Sequence, residues 1–150
     1  MPTAPAGYLT HDNIDDPSAL DEATWGKVQA AFAEALGLDE DEVSPGHRII
    51  EELDAESLDF LDIAFRLERA FDIKIPRGGI ETAAKEGLGE DAYEVAGVLT
   101  DAARARLQEA MPEVPPDEFR SDLKVSEVAE LFRVATFYNL VLHLLAEKAG

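Results

Sequence analysis

Ser57 is the side chain in this sequence best placed to do chemistry. It sits in Leu53 to Pro76, LDAESLDFLDIAFRLERAFDIKIP, where an apolar helical pattern begins. A hydroxyl there is an oxygen nucleophile beside a helix N-terminus, and a helix N-terminus is a good place to hold a phosphate. Read alone, such a serine is more simply a helix cap. Six acids flank it: Glu51, Glu52, Asp54, Glu56, Asp59 and Asp62. They form either a solvated acidic face or a surface that attracts basic proteins. Asp59 and Asp62 also complement the positive end of the helix dipole.

Composition narrows the partners. The 150 residues carry 32 acids against 13 bases, a net charge of −19. Nucleic acid and anionic membrane surfaces are therefore excluded as expected ligands, because phosphate backbones need Lys and Arg. There is no cysteine, which removes disulfides, zinc thiolates and cysteine nucleophiles; a thiol-based function needs a cofactor to supply the thiol. No signal peptide is apparent. The most apolar run, Val134 to Ala146, is about 13 residues long, too short for a membrane span. The expectation is a cytoplasmic protein without an integral membrane segment.

The elements that must position Ser57 follow in order. Residues 1–17 are Pro-, Ala- and Asp-rich and are expected to be a flexible lead-in, with one helical domain over 18–150. Ser18 or Asp21 can cap a first helix that runs to Leu36, with Gly37 as its stop. Leu38 to Glu56 is a long loop pinned by Val43, Ile49, Ile50 and Leu53. The second helix runs from Ser57 to about Phe71; Leu58, Leu61 and Phe65 mark one flank and Phe60, Ile63, Ala64, Leu67 and Phe71 the other, which suggests burial against more than one surface. Arg77 to Glu90 is a connector, Asp91 to Met111 is expected to be helical, and PEVPPDEF to be a hinge. The last helix should start near Ser126 and continue to the C-terminal end, apolar on nearly every side in its second half (Phe137, Leu140, Val141, Leu144, Leu145). That half is expected to be buried, to pair with another chain or to line a cavity. No strand is expected beyond the short extended piece Ile73–Ile75, so the class is all-α.

The central stretch resembles the acyl carrier protein family. Leu53, then Glu56-Ser57-Leu58-Asp59, then Phe71-Asp72-Ile73-Lys74-Ile75-Pro76 follow the family's pattern. The family usually has Asp where this chain has Glu56, and its chains are commonly about half as long. The excess lies mainly in an insertion at about 77–121. The resemblance implies an up-down helical bundle with an inserted helical segment and an extended C-terminal helix. It also implies 4′-phosphopantetheine joined to Ser57 by a phosphopantetheinyl transferase, with an acyl chain held as a thioester on the arm. SLDFLDIAFRLERAFDIKIP looks most like carriers of very long or hydroxylated acyl chains for bacterial lipid A.

On this reading Glu51, Glu52, Asp54, Glu56, Leu58, Asp59 and Asp62 dock basic surfaces of fatty acid synthesis enzymes or acyltransferases. Val28, Phe32, Phe60, Ile63, Ala64, Leu67, Ile73 and Ile75 are the candidate acyl pocket, or ordinary core. Two alternatives stand beside it: an acidic adaptor that binds proteins without a prosthetic group, and a carrier of polyketide or aminoacyl intermediates. No catalytic residue and no metal site is expected. Asp39 to Glu42 lacks the features of a calcium loop, and His11, His47 and His143 show no ligand spacing.

Overall fold

A computed structural model describes residues 9–75 and 93–149. The expected connector Arg77–Glu90, and Asp91 at the start of the expected third helix, lie outside the described residues. The chain is mostly helical, as expected for the class. Helix α1, Glu22–Leu36, is capped by Asp21, whose carboxylate accepts from the Thr24 hydroxyl at 2.6 Å and the Thr24 amide at 3.1 Å. Those two bonds hold the Asp21 carboxyl below the ordinary carboxylate range. Gly37, at φ 70°, ends the helix in the left-handed conformation that glycine adopts without strain.

The long loop is pinned as its anchors suggest. Val43 and Ile49 are buried, Ile50 and Leu53 half-buried, and a 3-10 turn forms at Glu40–Glu42. Helix α2, Ser57–Phe71, then packs against α1. It stops at Asp72, which adopts φ 53° and sends its N–H to the Glu68 carbonyl. Ile73–Ile75 forms no strand. Glu68 instead accepts the Ile75 amide at 2.8 Å, folding both isoleucines back onto the core.

The C-terminal helix, labelled α4 here, spans Val134–Ala149 and completes the bundle with α1 and α2. Phe137 joins the three helices: its ring lies 5.6 Å from Phe32 of α1 and 6.1 Å from Phe60 of α2. Tyr138 and Val141 are fully buried beside it, and Leu140 and Leu145 pack against the same core. At the far end, Lys148 donates to the Asp72 carbonyl at 2.7 Å and its carboxylate at 3.0 Å, tying α4 to the end of α2.

Residues 93–131 depart furthest from expectation. They build a second, smaller core. Its first part is a ribbon, not a helix: β1, Glu94–Val95, pairs antiparallel with β2, Val98–Leu99. Ala96 and Gly97 both have positive φ, as a two-residue hairpin turn of the primed type requires. The helix starts only after Thr100, whose hydroxyl accepts the Ala103 amide. This is α3, Asp101–Ala110, closed at Met111 before Pro112. PEVPPDEF is not a hinge. The prolines do forbid α-helix, but Val114 and Phe119 are buried and Pro116–Glu118 forms a 3-10 turn. Nor does one long helix start at Ser126. A 3-10 segment, Val125–Leu131, precedes a break at Phe132, because the long loop competes for the backbone there: Phe132 O accepts from Ile49 N, and Val134 N donates to His47 O.

Within the expected lead-in of residues 1–17, the segment from Leu9 packs onto the body. Leu9 is fully buried; its N–H donates to Asn139 Oδ1 of α4 and its carbonyl accepts from Asn139 Nδ2, and His11 N donates to Pro112 O at 2.8 Å.

Candidate functional site

Ser57 is the first residue of α2, and the N-cap position belongs to Glu56, whose backbone is extended (φ −106°, ψ 170°). A side chain at the N-cap can satisfy the free amides of the first turn. Here the reciprocal part is played by Asp59, which accepts the Glu56 amide at 2.8 Å. Ser57 is therefore the first helical residue, and Glu56 occupies the N-cap position. On either side of it Glu56 and Leu58 are exposed, Leu58 at 76%, while Ala55 is buried. The chain thus passes from buried Ala55 to exposed Glu56 as it enters the helix.

The acids expected to dock partners differ in freedom. Glu51 is paired with Arg48 at 2.8 Å, and Glu52 accepts the Arg48 amide at 2.8 Å. Asp62 is paired with Arg66, which also reaches Glu34 on α1. Asp54 and Glu56 are exposed, and Asp54 holds φ 57°, turning the loop just ahead of the helix.

One flank of α2 corrects the expectation of burial on several surfaces. Leu58, Leu61 and Phe65 recur at helical spacing and are 76%, 48% and 55% exposed. Leu61 and Phe65 were not among the expected docking residues. Their signal lay in the pattern itself: two apolar flanks on a helix that has one core to face.

The candidate pocket residues do come together. Val28, Phe32, Ile63 and Leu67 are fully buried in the bundle core, with Phe60, Ile73 and Ile75 packed against it and Ala64 half-buried on α2. Phe60 lies one turn along from Ser57, and its ring is 6.3 Å from that of Phe132 at the break before α4.

Residues 26–80 match a family model described as the phosphopantetheine attachment site. The chain is 40% identical over 63 residues to the acyl carrier protein of Campylobacter jejuni subsp. doylei, covering 42% of this chain and 82% of that protein. The chain belongs to the acyl carrier protein family. It is also 44% identical over 54 residues to the acyl carrier protein AcpXL of Brucella melitensis, and 43% identical over 54 residues to AcpXL of Rhizobium meliloti. Each of these two matches covers 36% of this chain, and they span 58% and 57% of those relatives, little more than half their length. No solved structure matches the chain to significance.

The cofactor of the matched family is 4′-phosphopantetheine, and the local structure fits it. A phosphate placed at the first turn of α2 would meet the positive end of the helix dipole. The exposed residues on either side leave room for an arm without disturbing the core. Such an arm supplies the thiol that this cysteine-free carrier lacks. No described helix is long and apolar enough to cross a membrane.

Proposed function

We propose that Ser57 is the phosphopantetheine attachment residue, and that this carrier presents a long acyl chain on that arm to separate enzymes of fatty acid or lipid biosynthesis in the cytoplasm. Lipid A is the specific pathway proposed. The observation that carries the reading is the position of Ser57 at the first residue of α2, between exposed Glu56 and Leu58 and inside the matched region. The pathway rests on the resemblance of SLDFLDIAFRLERAFDIKIP to lipid A carriers and on the similarity to proteins named AcpXL. The role is carriage, with catalysis left to the partners. A phosphopantetheinyl transferase installs the arm. Partner enzymes dock basic residues against Asp54, Glu56 and the other acids, with the exposed Leu58–Leu61–Phe65 stripe as the apolar part of the contact.

The acyl chain is proposed to enter past Phe60 into the core between α1, α2 and α4. It does not run between the bundle and the second core, because that boundary is lined by buried polar groups: Glu113, Arg133, Thr136 and Asn139. Each buried methylene is worth about 0.8 kcal/mol, whereas separating those groups leaves hydrogen bonds unmade. Mass analysis of the protein from its own cells should find phosphopantetheine on the peptide that contains Ser57; a wholly unmodified peptide would favour the adaptor reading. Charging with acyl groups of rising length should raise the melting temperature progressively, and a flat response would contradict the pocket.

A further inference from the structure

Glu118, in the 3-10 turn of the second core, lies between two arginines. Its Oε1 accepts from Arg48 Nη2 at 2.8 Å and its Oε2 from Arg133 Nη2 at 2.5 Å. Arg133 is buried and also donates to the Leu131 carbonyl. Arg48 belongs to the long loop that leads to Ser57, and its other terminal nitrogen, Nη1, donates to Glu51 at 2.8 Å. The three side chains thus join three separate parts of the chain: the loop, the inserted region and the break before α4.

The backbone at Arg48 shows why this junction matters. The Arg48 carbonyl accepts from Glu52 N at 3.0 Å and Leu53 N at 3.2 Å. The next residue, Ile49, donates to Phe132 O at 3.1 Å and accepts from Ala55 N at 3.1 Å. Ala55 is two residues from Ser57. The approach to the serine is therefore folded around Arg48 and Ile49, and the side chain that fixes Arg48 from outside the loop is a carboxylate of the inserted region. Arg–carboxylate pairs are directional; Arg133 is buried, so removing Glu118 takes away the carboxylate it pairs with, whereas the partly exposed Arg48 keeps Glu51 but loses its tie to the inserted region.

We infer that Glu118 is a positioning residue for Ser57: docked between Arg48 and Arg133, it makes the inserted region hold the loop in the shape that presents the serine. This rests on Ser57 being the attachment residue, but its structural part can be tested separately. Two variants of the full chain serve, Glu118→Gln and Arg48→Ala. The second leaves the buried Glu118–Arg133 pair intact, so it guards against simple unfolding of the second core.

The first readout is amide exchange. In both variants exchange over residues 47–55 should accelerate on the order of tenfold, with α1 unchanged, and the double variant should exchange no faster than the singles. The second readout is loading by a phosphopantetheinyl transferase with coenzyme A: KM for the protein should rise several-fold with kcat held. Restoration of the wild-type KM by Glu118→Gln combined with Arg48→Gln is not expected, since the link is ionic. Unchanged exchange over 47–55 in both variants would overturn the proposal, as would a loss confined to kcat. If the wild type takes up no arm at all, the attachment reading fails while the exchange result still decides whether Glu118 holds the loop.

Discussion

The three-helix bundle and the inserted region are built on different terms. In the bundle, α1, α2 and α4 meet through Val28, Phe32, Ile63, Leu67 and Phe137, an apolar core with aromatic edges. The inserted region has its own apolar core around Tyr93, Leu107 and Met111; Phe132 packs against both cores, and a seam of buried hydrogen bonds also joins the two. There Glu113 accepts from the Thr136 hydroxyl at 2.6 Å and the Asn139 amide at 3.1 Å, and Asn139 also holds Leu9. Apolar contacts tolerate sliding, whereas a hydrogen-bonded seam is satisfied in one arrangement. The bundle is thus suited to adapt its packing, and the insertion to be held at a fixed place beside it.

Substitutions in the two cores should separate these roles. Phe32→Ala opens a cavity where all three bundle helices meet and should cost about 3–5 kcal/mol, lowering the main unfolding transition in a denaturant melt. A loss under 1 kcal/mol would mean the bundle core is not the principal source of stability. Leu107→Ala should cost about 2–5 kcal/mol, and its effect should concentrate in residues 93–131. Amide exchange would show these residues opening while α1 and α2 keep their protection; equal loss in both regions would erase the distinction.

The seam offers a finer test. Burial pushes the Glu113 carboxyl above its ordinary range, opposed by its bonds to Thr136 and Asn139 and by the nearby Arg133. A carboxyl whose folded pKa is raised contributes stability fully below its unfolded pKa, near 4.5, and loses that contribution as pH rises through the folded value. Melts measured upward from that pH should contain a declining component that Glu113→Gln removes. Glu113→Ala should instead cost about 1–3 kcal/mol, by leaving the Thr136 hydroxyl and Asn139 amide without their acceptor. Identical pH profiles for wild type and Glu113→Gln would contradict this.

The smallest effect on stability belongs to the exposed stripe. Leu61→Ala and Phe65→Ala should change stability by less than about 0.5 kcal/mol while weakening binding to a partner enzyme, measured by titration calorimetry. Strong destabilisation with unchanged binding would place the stripe in the fold rather than in docking.

What could be read from the sequence follows the same division. Helices α1 and α2 were legible because their signals are local: Asp21 and Gly37 at the ends of one, and the apolar period from Phe60 to Phe71 in the other. The matched family was legible because the neighbours of Ser57 on both sides form a pattern. The inserted region was not. Val95, Ala96 and Leu99 fit a helical period as well as a ribbon, and the positive φ of Ala96 is not a preference that alanine announces. The break at Phe132 was hidden for another reason: it is set by backbone bonds from Ile49 and His47, some eighty residues earlier. The Arg48–Glu118–Arg133 junction has no local signature at all, since it exists only when three distant segments meet. The exposed face of α2 was visible as excess apolar surface, but a sequence does not say which flank faces the core.

Ser57 is proposed to carry the arm. The most direct test is an intact-mass measurement before and after incubation with coenzyme A and a broad-specificity phosphopantetheinyl transferase, on the wild type and on Ser57→Ala. The wild type should gain one phosphopantetheine and Ser57→Ala none, while Ser57→Ala keeps its helical circular dichroism. No gain by the wild type with several transferases, or an equal gain by Ser57→Ala, would contradict it.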